Sequence, residues 1–193
     1  AHLTKKVTGY SVVNYVDLFT SRLAKTNLWT PLTNTVLLAT FACIVSILYG
    51  GIFAFLVTRT NLNFKKYLSS IFIFPYIMPQ WTLAVVWQNV FNSNTVTGTS
   101  NGLLAAMMGI YMPKWWCQGM FPSALVLGLH YAPFAYILIG GIFRNMDANL
   151  EEAAMILNTP KWRTMLRITI PMVKPAILST ILLVFGSSMG SYP

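Results

Sequence analysis

The sequence predicts an all-α, polytopic helical membrane protein with about four transmembrane helices visible, and three observations carry that prediction. Only 9% of its 193 residues are charged and 55% are hydrophobic, where an ordinary soluble domain is about a quarter charged. The charges are bunched, leaving none from 26 to 58, from 67 to 113, from 115 to 143, or after Lys174. Each run can hold one helix of the roughly 20 residues that cross a hydrocarbon core of about 30 Å. Between the last two runs sits a compact polar block, Asp147 to Lys174, with three acidic and four basic residues. Such a block has to project into water.

The elements follow in order. Residues 1–32 read as an external N-terminal segment, and residues 33–193 as the transmembrane domain, incomplete at its C-terminus. The first span covers about Thr33 to Val57, where Gly50 and Gly51 allow close helix approach. The second, about Leu68 to Phe91, contains Pro75 and Pro79. A kink or irregular turn is expected there, and neighbouring helices or water must satisfy the carbonyls it frees. The stretch Asn92 to Gly102, NSNTVTGTSNG, has turn composition and ends that span. The third span is about Pro122 to Phe143. The fourth begins near Pro175 and is still apolar at Pro193.

Lys and Arg in the short loops set orientation. Arg59, Lys65 and Lys66 follow the first span, and Arg144, Lys161, Arg163, Arg167 and Lys174 follow the third. The loop after the second holds only Lys114. The first and third of these connections are therefore placed in the cytoplasm and the second outside. The N-terminal stretch resists this, because Lys5, Lys6, Arg22 and Lys25 would then lie outside. An upstream span beyond Ala1, which is not a Met, would fix the orientation independently. Lys114-Trp115-Trp116 reads as an interfacial anchor, since Trp favours the headgroup level.

Several function classes are disfavoured. The net charge of +9 comes from residues flanking spans, the ordinary pattern beside anionic lipid, and no groove-reading motif accompanies it. His2 and His130 are the only histidines, neither with a Cys or carboxylate at ligand spacing, so no metal site is expected. Neither G-x-x-x-x-G-K-[S/T] nor G-x-G-x-x-G occurs, and no nucleotide cofactor is expected in this chain. Cys43 and Cys117 fall at different membrane levels. A membrane-embedded transferase would need a charged constellation at a membrane face, yet Asp147, Glu151 and Glu152 sit at a helix start without His or Cys nearby. A proton- or sodium-coupled carrier, or a channel, is disfavoured because no span holds a carboxylate. The polar residues that do lie within spans, Gln80, Gln88, Asn89 and His130, are candidate pathway residues, although residues of this kind more often make a helix–helix hydrogen bond than a ligand contact.

The polar block is patterned as a helical hairpin. Asn149 and Glu152 have capping-box spacing, Asn158 falls where a left-handed turn would end the helix, and Thr159-Pro160 supplies an N-cap followed by Pro at the first helical position. Pro171 and Pro175 are expected to stop the second helix. A short helical hairpin between two spans suggests a docking surface for a soluble partner.

Glu152-Ala153-Ala154, then Asn158, then Ile168-Thr169-Ile170-Pro171, resembles the EAA signature of permease subunits of ATP-binding-cassette importers. The family pattern is Glu-Ala-Ala, three residues, Gly, nine residues, Ile, one residue, Leu-Pro. Asn158 replaces the Gly and Ile170 the Leu. The resemblance extends to Asn34-Thr35, the Pro-containing second span, the short basic loop and NYVDLF at 14–19. It implies a cytoplasmic coupling hairpin at 147–174 on a multi-pass subunit of a bacterial inner membrane, and a non-enzymatic role. ATP and Mg would be bound by a partner ATPase dimer. A second permease half, in the same chain or another, and an external solute-binding protein are the other implied partners. Glu152, Ala153, Ala154, Asn158, Ile168 and Pro171 are the coupling residues implied. Ile156, Leu157, Trp162 and Met165 would add apolar contact, and Arg163 and Arg167 would pair with acidic groups of the ATPase or with headgroups. In texture the chain is most similar to ferric iron permeases, with polyamine, phosphonate and sulfate permeases as alternatives.

Overall fold

The computed structural model describes residues 12–21, 24–98, 100–146, 156 and 159–191. The chain divides into two compact units, residues 1–37 and 38–193. In the first, helix α1 (Val13–Thr20) is followed by a wide π-helical turn, Lys25–Trp29, that runs without a break into α2 (Thr30–Arg59). Phe19 and Trp29 bring their rings to 6.5 Å. Thr30 and Thr33 return their hydroxyls to the carbonyls of Lys25 and Trp29.

The second unit contains the rest of α2, then α3 (Lys65–Ile77), α4 (Gln80–Phe91), three short helices α5 (Asn94–Thr97), α6 (Leu103–Met108) and α7 (Lys114–Cys117), and the long α8 (Met120–Asn145). Beyond the polar block come α9 (Lys161–Thr164), a second π-helical turn at Met165–Thr169, and α10 (Ile170–Met189). At a rise of roughly 1.5 Å per residue, α2 is about 45 Å long, α8 about 39 Å and α10 about 30 Å. Each is long and apolar enough to cross a membrane.

The core is built around α8. Leu127, Ala132, Ala135, Tyr136 and Ile139 are buried along it, against Ala42, Cys43 and Ala54 of α2 and Val173, Ala176 and Val184 of α10. Small residues set how closely α2 and α8 approach. A Cβ on Gly50 would fall 2.3 Å from the Ala132 carbonyl oxygen, and one on Gly128 would fall 2.5 Å from the Val45 Cβ. In lipid there is little hydrophobic drive between helices, so this close packing supplies the attraction.

The second span takes the irregular turn expected at its prolines. Its two prolines produce a break rather than a kink: α3 ends at Ile77, Met78 and Pro79 are extended, and α4 leaves at 102° to α3. Pro79 disfavours the helical region at Met78 and cannot donate to the Pro75 carbonyl, so the helix stops. At about 20 Å and 18 Å, neither limb crosses alone. Their contacts on α8 nevertheless advance steadily. Ser69 and Phe72 meet Tyr136, Pro75 and Tyr76 meet His130, and Gln80 meets Tyr131. Beyond the break, Trp87 and Phe91 reach Trp116 and Cys117, past the N-terminal end of α8. A re-entrant loop would return to the end it started from, whereas this pair travels the length of its neighbour.

The expectation that Pro171 and Pro175 end a separate hairpin helix, with the fourth span starting near Pro175, is corrected. Helix runs from Trp162 to Met189. Pro171 lies in the first turn of α10, directly after the π-helical turn, whose wider ring accommodates a missing donor. Pro175 remains inside the helix, where the Ser179 hydroxyl donates to its carbonyl at 3.0 Å.

Two outcomes test this architecture. Gly50→Leu lowers stability by about 1–3 kcal/mol through overpacking, read as a lower thermal midpoint in detergent, while Gly141→Ala, with open space around it, does not. In a variant with both native cysteines changed to serine, single cysteines replacing Lys66 and Gly98 react with an impermeant maleimide from opposite sides of the membrane. Reaction from one side only would make α3 and α4 a re-entrant loop.

Candidate functional site

Two regions were singled out by sequence, and the structure treats them differently. In the polar block, Glu152, Ala153, Ala154 and Asn158 lie outside the described residues. The second half of the block is described. Pro160 accepts backbone bonds from Arg163 at 2.9 Å and Thr164 at 3.3 Å, so helix starts within a residue of the expected position. Ile168 lies half-buried in the π-helical turn, and Pro171 is exposed one turn on. The large apolar side chains here point outward: Ile156 is 85% exposed, Trp162 60% and Leu166 53%. Met165 is also exposed, so neither it nor Trp162 packs into the core. The Arg163 guanidinium lies 5.2 Å from the Trp162 ring centre, joining a cation to an exposed aromatic face. Exposed apolar side chains beside cations are the kind of surface on which partners or membranes settle.

The candidate pathway residues separate into two pairs. His130 and Gln80 converge on the break of the second span. His130 is buried and its Nδ1 lies 3.1 Å from the Pro75 carbonyl. That carbonyl is the acceptor Pro79 leaves without a helical donor, so the ring supplies the missing N–H. Gln80, in the first turn of α4, donates from Nε2 to the Tyr131 hydroxyl at 2.5 Å. Tyr76 lies against Phe134 and His130, with ring centres at 6.0 and 5.6 Å. Ser69 and Tyr136 share a bond of 2.8 Å about two turns earlier. These side chains hold the break in place.

Gln88 and Asn89 lie on the far limb and are exposed. Gln88 borders a cavity of about 250 Å³ that Trp87, Cys117, Gln118, Pro122 and Ser123 also line. Residue reading of the sequence missed the aromatic cluster beside it. Trp87 donates from Nε1 to the Trp116 carbonyl at 3.1 Å, and its ring centre lies 4.4 Å from Phe91 and 5.5 Å from Trp116. Trp116 is half-buried in this cluster and Trp115 is 58% exposed. Only Trp115 therefore keeps the outward placement expected of an interfacial anchor. Cys43 and Cys117 are both buried thiols, and Cys117 donates to the Phe91 carbonyl at 3.1 Å. Among the described residues no group of His, Cys, Asp or Glu could hold a metal ion.

These features define a class: a multi-pass helical membrane protein, with a proline-broken span clamped to its central helix and an exposed amphipathic segment between its last two spans. Residues 46–193 match the family described as binding-protein-dependent transport system inner membrane component, and the chain belongs to that family. It is 24% identical over 165 residues to the ferric transport system permease protein FbpB of Actinobacillus pleuropneumoniae, a match covering 83% of this chain and 23% of the relative. It is also 24% identical over 181 residues to the galactooligosaccharides transport system permease protein GanP of Bacillus subtilis, covering 92% of this chain and 43% of the relative. To the spermidine/putrescine transport system permease protein PotC homolog of Mycoplasma genitalium it is 28% identical over 171 residues, covering 89% and 55%. The chain thus spans between about a quarter and about half of the length of these relatives.

The clamp makes a specific prediction. His130→Leu leaves the Pro75 carbonyl without its donor and lowers stability by about 1–3 kcal/mol, seen as a lower thermal midpoint. In a double-mutant cycle, Gln80→Leu and Tyr131→Phe couple by roughly 0.6–1.7 kcal/mol, the range of interhelical bonds in membranes.

Proposed function

We propose that the chain is a transport subunit of an ATP-driven importer. It forms part of the solute pathway and is coupled to a cytoplasmic ATPase through 147–174. The observation that carries this reading is the unbroken helix from Trp162 to Met189. Its first turns hold the exposed Trp162, Met165 and Leu166, and its remainder is a span. A partner seated on that surface moves the span, because continuous helix joins the two. Closure of an ATPase dimer draws the docked segments together and rocks the spans between inward-open and outward-open states. Glu152, Ala153, Ala154, Asn158, Ile168 and Pro171 form the coupling segment. ATP and Mg are held by the partner ATPase, and this chain performs no hydrolysis itself.

In this reading the loops bearing Arg59, Lys65, Lys66 and Arg144 face the cytoplasm of a bacterial cell, and the cluster around Trp87 and Trp116 faces outward. A second permease half, in the same chain or another, completes the pathway, and an external binding protein delivers the solute. Ferric iron is the cargo we assign, with FbpB among the relatives; sulfate, polyamine and sugar permeases are similar at comparable identity. Of the four candidate pathway residues, Gln88 and Asn89 are the ones left with exposed side chains to meet a solute. Gln80 and His130 act by holding the break.

Glu152→Lys in the full-length protein abolishes ATP-driven uptake and loosens co-purification of the ATPase, while the amount inserted in the membrane is unchanged. Uptake that survives this change overturns the coupling assignment. Competition of radiolabelled ferric iron uptake by excess spermidine or sulfate separates the cargo options.

A further inference from the structure

The geometry points to a binding groove for one anionic phospholipid between α3 and α8, at the end of the molecule where α2 stops. A cavity of about 460 Å³ opens there. Lys65, Lys66, Ser70 and Arg144 line one end, Ile73 and Ile137 the other. The two walls change character together. From Lys66 to Ile73 on α3, and from Arg144 to Ile137 on α8, seven residues separate cation from apolar side chain, about 10 Å along each helix. The helices are antiparallel, so both gradients run from the membrane surface inward. A molecule with a negative head and an apolar tail matches both walls at once, whereas a free anion uses only the outer end.

Other features favour lipid as the occupant. Among the described residues, the groove is lined by three cations and no carboxylate. Phe64 and Tyr67, 74% and 70% exposed, flank its mouth at the start of α3. Aromatic rings of this kind sit at the headgroup level. The Ser69 hydroxyl is engaged with Tyr136 and the Lys65 carbonyl, and Ser70 donates to the Lys66 carbonyl, which leaves the three cations to receive a phosphodiester. This differs from the general attraction of basic loops to anionic membranes, because it assigns a particular groove with an acyl-chain wall.

The test uses the full-length protein in nanodiscs of phosphatidylcholine with a minor share of phosphatidylglycerol, and native mass spectrometry to count retained lipids. The wild type retains phosphatidylglycerol in preference to phosphatidylcholine. Lys66→Gln with Arg144→Gln reduces that retention about thirtyfold, as removal of two cations near anionic lipid predicts, with the thermal midpoint in pure phosphatidylcholine unchanged. The charge-preserving pair Lys66→Arg with Arg144→Lys restores it. Arg167→Gln with Lys174→Gln, equal in charge but outside the groove, leaves it intact. Equal losses in both double variants would reduce the effect to diffuse surface charge. Displacement by millimolar inorganic phosphate would make the site an anion site without a lipid. Loss of ATPase association, with lipid retention unchanged, would make the groove a protein contact. None of these readouts depends on transport, so the coupling assignment stands or falls separately.

Discussion

The constraint on which this structure rests is that a backbone polar group in hydrocarbon has no water to turn to. Every N–H and C=O inside the membrane needs a partner within the protein, and each unsatisfied group costs several kcal/mol. A span carrying two prolines within five positions violates the simplest solution, a continuous helix. Here the violation is resolved by side chains of the central helix. His130 donates to the Pro75 carbonyl, Tyr131 accepts from Gln80, and Tyr136 meets Ser69. Three polar contacts from one stretch of α8 fix where the second span breaks and along which neighbour it continues.

This arrangement changes what a polar residue within a span signifies. His130 and Gln80 are the kind of residue that marks a solute pathway. Their hydrogen-bond partners are Pro75 and Tyr131, and both bonds hold the break. A broken helix does present a hinge: only the extended Met78 and Pro79 join two rigid limbs, and both limbs lean on α8. Any rocking of α8 would therefore be transmitted to α3 and α4 through the same contacts that stabilise the break. Stability and motion are here served by one set of side chains, which is why they cannot be assigned to solute binding on polarity alone.

Much of the architecture was legible in the sequence because charge and length in a membrane leave few alternatives. The spans at α2 and α8 fall within a few residues of where the charge-free runs place them. The turn composition at Asn92 to Gly102 does end a span, closed by a bond from the Gly102 amide to the Asn92 carbonyl at 2.9 Å. What sequence could not supply was the consequence of each proline. Pro79 breaks its helix outright, whereas Pro171 and Pro175 leave theirs intact. The difference lies in the environment. Pro79 follows Pro75 by four residues, as Pro175 follows Pro171, but the carbonyl that Pro79 leaves open is taken over by His130 of α8. Pro171 follows a π-helical turn that has already widened the ladder. Local composition cannot separate these cases, because the deciding partner comes from elsewhere in the chain.

The same reasoning bears on the polar segment between the last two spans. Read as a hairpin stopped by Pro171 and Pro175, it would be a self-contained element joined to the last span by a loose connection. Its described second half, helical from Trp162 and continuous to Met189, is an extension of the span. The exposed side chains of Trp162, Met165 and Leu166 then sit on a lever whose far end is buried among Ala42, Cys43 and Leu127 through Val184. A docking surface on a loose tether conveys affinity but little force. A surface on a stiff helix conveys both, since bending a hydrogen-bonded helix sharply requires breaking its ladder. The π-helical turn at Met165–Thr169 alters the ladder nearest Trp162, and Pro171 and Pro175 each remove a donor further along. Motion imposed at Trp162 that does not reach the span must therefore be absorbed within Met165 to Pro175.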